Sequence, residues 1–327
     1  MKLIVPDYYN DFCCIADRCK HSCCIGWEID IDNETLERYR NIGGDFGVRL
    51  QDGIETDICG AHFRLGAQER CPFLNREGLC DIILTLGEAY LSQICTDHPR
   101  FCSFYSDRTE IGLGLCCEEA TRIILFKETE TKFSVLDDDG EEEIPTEEEK
   151  AFFAQRERLF TLAQDRRKTI SERMNDLQRE IGLVFPNRSF AEWVDIFLSL
   201  ECMDDAWKTL LLESRKKSVY DVSSDIPEII WGQLLVYFLY RHVSDPERDI
   251  GGSVLFAILG VYMIRNLFSY LCCREKANKK EELIEICRLY SSEIEYSEEN
   301  TEQLILFLEK SSQKNERKDD FRYERND

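Results

Sequence analysis

The chain has 327 residues, of which 43% are hydrophobic and 11% aromatic. That is enough for a sizeable core and excludes a chain disordered throughout. Its 41 Lys and Arg stand against 64 Asp and Glu, a formal net charge of −23. So acidic a chain argues against binding nucleic acid through its phosphates, which needs clustered cations, and favours cationic partners such as Lys-bearing protein surfaces.

At the N-terminus Met1–Val5 is followed at once by Pro6-Asp7, too short an apolar run for a secretory signal. Twelve of the sixteen cysteines fall between Cys13 and Cys117. In a cytosolic chain thiols stay reduced, so this density points to metal or redox chemistry rather than disulfides. Residues 1–136 read as an irregular cysteine-rich domain with short strands, at Trp27–Asp32 and Glu110–Leu115, and with brief helices at Asn33–Arg40, capped by Asp32 or Asn33, and Thr85–Gln93. Residues 137–149, dominated by Asp and Glu, read as a solvated acidic linker whose first part is the tip of a hairpin.

Residues 150–310 read as an α-helical domain. Phe160, Ala163, Ile170, Met174, Leu177 and Ile181 recur as the stripe of one long amphipathic helix, started by a Thr146/Glu149 capping box. Further helices follow at Phe190–Cys202, Asp204–Lys216, Pro227–Val243, Ser253–Cys272, Lys279–Tyr290 and Thr301–Glu309. The stretch Ser253–Cys273 is interrupted by Arg265 and Asn266, short of a membrane span, and reads as a core helix. Residues 311–327 are polar and expected to be disordered. The fold class is mainly α, with a metal-binding cysteine-rich domain in front. Cys202, Cys272, Cys273 and Cys287 read as buried thiols on apolar helices.

Cys14, Cys19, Cys23 and Cys24 form a C-x4-C-x3-C-C cluster that a short loop can turn onto one metal centre. Cys71, Cys80, Cys95 and the pair Cys116-Cys117 form a second group, presented by turns at Pro72 and Gly78. Thiolates at this density suit Zn²⁺ or an iron–sulfur cluster, and spacing alone does not choose between them. His21, His62 and His98 are weaker ligand candidates, and Trp27 reads as packing over the metal loop. A non-enzymatic zinc- or iron-binding module with a helical partner-binding domain is the alternative reading.

These residues carry a resemblance. Phe12-x-Cys14, Cys19, Cys23-Cys24-x-Gly26-Trp27, Cys71-Pro72-Phe73-Leu74, Leu79-Cys80, Leu86-Gly87-Glu88, Tyr90-Leu91-Ser92, Cys95, Pro99-Arg100, Cys117 and the run Leu234–His242 resemble the flagellin lysine-N-methylase (FliB) family. The resemblance implies a bacterial cytoplasmic enzyme that methylates lysines of flagellin or a similar protein with S-adenosylmethionine. It implies a [4Fe–4S] cluster, with Cys14, Cys19, Cys23, Cys24, Cys71, Cys80, Cys95 and Cys117 at the family's cysteine positions. Cys13, Cys59, Cys102 and Cys116 are additional. Glu118 stands where the family has Pro, and Thr96 where it often has Arg.

Methylation requires a neutral amine, whereas an exposed lysine of pKa about 10.4 is almost wholly protonated at neutral pH. A desolvated channel or nearby base must shift that balance. Tyr237, Tyr240 and His242 are the candidates by residue type. No glycine-rich nucleotide loop is present, so an ordinary Rossmann-type cofactor site is not expected.

Overall fold

A computed structural model describes residues 1–58, 60–140, 144–216, 226–272 and 278–323, with side chains in the last segment to residue 312. It divides into two compact units, one of Cys13–Phe101 and one that joins Met1–Phe12 to the chain from Cys102 onward. Strand β1 (Lys2–Pro6) therefore belongs to the larger unit although the smaller one follows it in sequence.

The smaller unit contains β2 (Asp30–Ile31), α1 (Asn33–Arg40), α2 (Gly44–Asp52), β3 (Ile54–Thr56), β4 (Ala61–Phe63), α3 (Asp81–Leu86) and α4 (Gln93–Asp97). Its strands form an antiparallel sheet in the order β2-β4-β3. Asp32 caps α1 as expected, accepting from the Thr35 amide at 2.8 Å. Its second oxygen accepts from the Gln93 amide at 2.9 Å, so one carboxylate serves the starts of two helices. The expected helix over Thr85–Gln93 does not form. Gly87, at φ +95°, ends α3, and a 3-10 turn at Glu88–Tyr90 precedes α4. The core is Ile29, Ile31, Tyr39, Leu50, Phe63, Phe73 and Ile82, with Cys71 buried among them.

The larger unit's sheet has the order β5-β6-β1-β7, with β5 at Arg100–Phe104, β6 at Arg108–Leu113 and β7 at Phe133–Asp138. β1 runs parallel to β6, with Leu3 opposite Thr109, and antiparallel to β7, with Val5 opposite Ser134. The acidic stretch thus begins as a strand paired to the chain's first residues, not as the tip of a local hairpin. Residues 141–143 of the expected linker lie outside the described residues. The boundary expected at residue 136 is replaced by boundaries near 12 and 101, because β1, β6 and β7 are bound to one another by sheet pairing.

Its helices are α5 (Glu118–Leu125), α6 (Glu147–Ala163), α7 (Ile170–Ile181), α8 (Phe190–Phe197), α9 (Asp205–Ser214), α10 (Glu228–His242), α11 (Ile250–Cys272), α12 (Lys279–Tyr290) and α13 (Glu298–Tyr323). The Thr146/Glu149 capping box is present. The single long helix is not: a second capping box, Thr169 with Glu172, restarts the chain as α7 after a turn held by Asp165 and Arg167. The apolar stripe continues across the break because both helices face one core. The tail beyond 310 continues α13 to Tyr323, and residues 324–327 lie outside the described residues.

α10 and α11 form the centre of this unit. A Cβ on Gly260 would stand 2.7 Å from the Phe238 ring, so glycine permits their close approach. α11 has 23 residues, longer than its sequence suggested, and is apolar and long enough to cross a membrane. With Val254 through Leu259 at 2% exposure or less, it is buried as a core helix.

At the end of α10 lies a buried ion pair. Arg156 Nη2 stands 2.5 Å from Glu110 Oε1, and its other nitrogen donates to Tyr105 Oη at 3.1 Å and the Val243 carbonyl at 3.2 Å. Tyr240 adjoins this pair, its hydroxyl donating to the carbonyls of Ile4 and Ile111 at 3.4 and 3.3 Å. Removing one partner leaves an uncompensated charge out of water. Arg156→Met is therefore expected to cost about 3–5 kcal/mol, read as a lower urea midpoint for loss of helical circular dichroism, and Arg156→Lys less.

Candidate metal centre and candidate catalytic residues

Three loop segments of the smaller unit are laced together around its thiols. The Cys71 amide donates to the Cys24 carbonyl at 2.9 Å, and Gly26 donates to Glu69 at 3.1 Å. Leu74 bridges to Cys80, and Asp81 donates to Phe73 at 2.8 Å. Cys80 occupies the N-cap position of α3, and Cys95 lies on α4. Cys24, Cys71, Cys80 and Cys95 all carry free thiols, and all pack in or against the unit's core.

These four thiols influence one another. Burial, reinforced by the other thiols, pushes Cys71 up to about 12 and Cys95 up to about 11, and raises Cys80. Cys24 goes the other way, to about 7: hydrogen bonds from Cys23 and Ser22 and the positive charge of Arg70 outweigh its burial. The Ser92 hydroxyl, 0% exposed, has no hydrogen-bond partner of ordinary geometry among the described residues, yet it favours the anionic form of Cys95. Among the described residues no three His, Cys, Asp or Glu side chains converge tightly enough to ligate a single metal ion.

The other matched cysteines sit differently. Cys14 and Cys23 are exposed and Cys19 half-buried, following a 3-10 turn at Ala16–Arg18. Cys14 Sγ accepts from the Ala16 amide at 3.4 Å. Trp27 packs against the core while its indole donates to the Cys23 carbonyl at 2.7 Å. Cys117 belongs to the larger unit, at the N-cap of α5. Of the additional cysteines, Cys13 and Cys102 are exposed, Cys116 is half-buried and Cys59 lies outside the described residues. Cys202 is exposed in the α8–α9 connection rather than buried, Cys272 is half-buried, Cys287 is buried, and Cys273 is outside the described residues. His21 is exposed. His62 lies 3.9 and 3.8 Å from the carboxylates of Glu28 and Glu55. His98 stacks on Trp27, and burial pushes it down to about 4.

Tyr237 and His242 meet at a residue the sequence did not single out, Glu295. Its side chain is 0% exposed and ends a π-helical turn, Ser291–Glu295, between α12 and α13. Such turns are rare and concentrate at functional positions. His242 Nε2 stands 2.6 Å from Glu295 Oε1, Arg241 Nε is 3.4 Å from it, and Tyr237 Oη donates to both oxygens at 3.0–3.1 Å. Tyr237 Oη in turn accepts from the Leu115 amide at 3.2 Å and from Arg241 at 3.0 Å. Arg241 lies over the Tyr296 ring at 4.7 Å.

Charge decides what this cluster can do. Burial works to raise Glu295, but Arg241 and the His242 hydrogen bond hold it below the usual carboxylate range. Burial lowers His242 despite Glu295. At neutral pH the group is a fixed anion, a fixed cation and a neutral imidazole, better suited to holding the Gly114–Cys117 loop than to taking up protons. Tyr240 is apart from it, in the Arg156 cluster. Glu295 has no sequence signal: it is acidic in an acidic chain, 58 residues from Tyr237.

The family match falls on this larger unit. Residues 110–317 match the family described as FliB lysine N-methylase C-terminal domain. The chain belongs to the FliB lysine N-methylase family. It is similar to proteins named lysine-N-methylase from Salmonella choleraesuis (strain SC-B67) and Salmonella typhimurium (strain LT2), at 30% identity over 129 residues, 37% of this chain and 31% of theirs. It is also similar to the flagellar biosynthetic protein FliU of Salmonella muenchen, at 32% identity over 127 residues, 37% of this chain and 75% of that protein. The chain thus spans about a third of the length of the two lysine-N-methylases. No solved structure matches.

Two outcomes follow from the geometry. In metal-free protein Cys24 alkylates with an apparent pKa near 7, while Cys71 and Cys95 stay unreactive until strongly alkaline pH, as mass spectrometry of iodoacetamide-treated protein at graded pH would read. Glu295→Gln removes the buried carboxylate that balances the charge of Arg241 and is expected to cost about 3–5 kcal/mol in urea unfolding, against about 1–3 kcal/mol for Tyr237→Phe.

Proposed function

We propose that this protein is a bacterial cytoplasmic enzyme that transfers methyl groups from S-adenosylmethionine to lysine side chains of flagellin or a similar protein, and that its thiols hold a [4Fe–4S] cluster. The observation that carries the activity is membership of the lysine N-methylase family across residues 110–317. The names of the relatives, lysine-N-methylase and flagellar biosynthetic protein, support a flagellar substrate.

The residues present fit a cluster. Cys24, Cys71, Cys80 and Cys95 supply the four sulfurs it needs, from loops tied by backbone hydrogen bonds and shielded by the core. They are close enough to alter each other's ionisation, as sulfurs serving one group must be. The unsatisfied Ser92 hydroxyl beside Cys95 is available to a sulfur of such a group. When bound, the cluster supplies an electron-rich iron–sulfur centre next to the Cys24 loop.

The sulfonium donor supplies an electrophilic methyl carbon. The lysine ammonium first gives its proton to solvent water; the nitrogen lone pair then forms the C–N bond as the C–S bond breaks, leaving S-adenosylhomocysteine and a methylated ammonium. The chain's own contribution to lysine capture is its charge: at −23 it concentrates cationic protein surfaces around itself.

The test is anaerobic purification with iron, acid-labile sulfide and zinc measured on one sample, followed by transfer of labelled methyl groups to flagellin. Iron and sulfide in equal, cluster-level amounts are expected. Cys24→Ala and Cys95→Ala should lose the absorbance near 400 nm while keeping helical circular dichroism. Zinc alone, without sulfide in protein never exposed to air, would overturn the cluster and favour the non-enzymatic metal-binding module.

A further inference from the structure

The larger unit holds a cleft of about 950 Å³ formed by the approach to β7, the second half of α6 and the turn into α7. Its volume is in the upper range for small-molecule sites, about 300–1,000 Å³. It lies wholly within the residues of the family match.

Its chemistry is mixed in a particular way. Lys132, Glu157 and Arg166 line it and are exposed, and among the described residues none of the three has an ion-pair partner. The adjacent cations are already committed: Arg167 is held by Asp165 at 2.8 Å and Lys168 by Asp176 at 2.6 Å. Apolar lining comes from Phe133 and Phe160, whose rings lie 4.8 Å apart, with Tyr240 backing Phe133 at 4.5 Å. A second cleft in the same unit, about 490 Å³, is lined by Glu149, Asp245 and Glu247 and by no Lys or Arg.

We propose that the larger cleft is the binding site for S-adenosylmethionine. This inference rests on the methyl-donor reading above. That molecule combines a carboxylate, a ribose diol, a purine and a sulfonium cation. A guanidinium recognises a carboxylate through paired, charge-assisted hydrogen bonds, which assigns the amino-acid end to Arg166 with Lys132 in support. A side-chain carboxylate accepts from ribose hydroxyls, which assigns the sugar to Glu157. The half-buried Phe133 ring, braced by Tyr240, offers a face to the purine. The smaller cleft, without a cation, has nothing to meet the carboxylate. No glycine-rich loop is required, since the cofactor has no phosphate to cradle.

The test uses the full chain purified anaerobically with its metal, titrated with S-adenosylhomocysteine by isothermal calorimetry and mapped by hydrogen exchange. Arg166→Glu should weaken binding at least tenfold and Glu157→Gln severalfold, with circular dichroism unchanged because both side chains are exposed. Bound ligand should protect amides in 130–133 and 157–168. If both variants bind like the parent, or protection falls elsewhere, the cleft is not the site, while the donor reading stands. If the parent protein binds neither S-adenosylmethionine nor S-adenosylhomocysteine, the donor reading fails and the cleft assignment falls with it.

Discussion

A carboxylate wholly removed from water, as Glu295 is, must be answered by charge and hydrogen bonds or give up its ionisation. Here Arg241, His242 and Tyr237, all within the last two turns of α10, supply that answer, and each is fixed by doing so. Because Tyr237 Oη also receives the Leu115 amide, the constraint passes to the loop that starts α5 and carries Cys116 and Cys117. Arg241 extends it outward over the Tyr296 ring. The end of α10, the π-helical turn and the α5 loop are therefore one polar assembly inside an otherwise apolar helical core. Apolar side chains of similar volume would satisfy stability at least as well. What the polar set adds is a single orientation for these segments.

How much of this was legible in the sequence depended on range. The Asp32 cap and the Thr146/Glu149 box are local, since donor and acceptor lie three residues apart and their pattern survives any tertiary context. The break between α6 and α7 was hidden by an apolar stripe that runs through it, although Thr169 and Glu172 repeat the same capping pattern. The unit boundaries were not legible, because they depend on β1 pairing with strands more than a hundred residues away. Glu295 failed for the same reason: nothing near it in sequence distinguishes it from the acidic surface residues around it.

The cysteines show the same limit in sharper form. Spacing grouped Cys24 with Cys14, Cys19 and Cys23. The fold keeps Cys24 beside Cys23 and also brings its thiol near Cys71, Cys80 and Cys95, through the backbone bond from Cys71 to the Cys24 carbonyl. Residue type pointed to metal chemistry through donor softness alone. Which sulfurs share a neighbourhood is a property of turns such as that at Gly78 and of the helix starts at Cys80 and Ser92, which bring distant loops to one side of a small core.

Charge economy connects the interior to the cleft. In the core of the larger unit, Arg156 answers Glu110 and Arg241 answers Glu295, while Glu149, Glu172 and Glu192 serve as helix caps. In the cleft Arg166, Lys132 and Glu157 stand without ion-pair partners among the described residues. A cleft that keeps both signs available beside an aromatic wall is suited to a ligand that itself carries both signs, and S-adenosylmethionine, with its carboxylate and its sulfonium, is such a ligand.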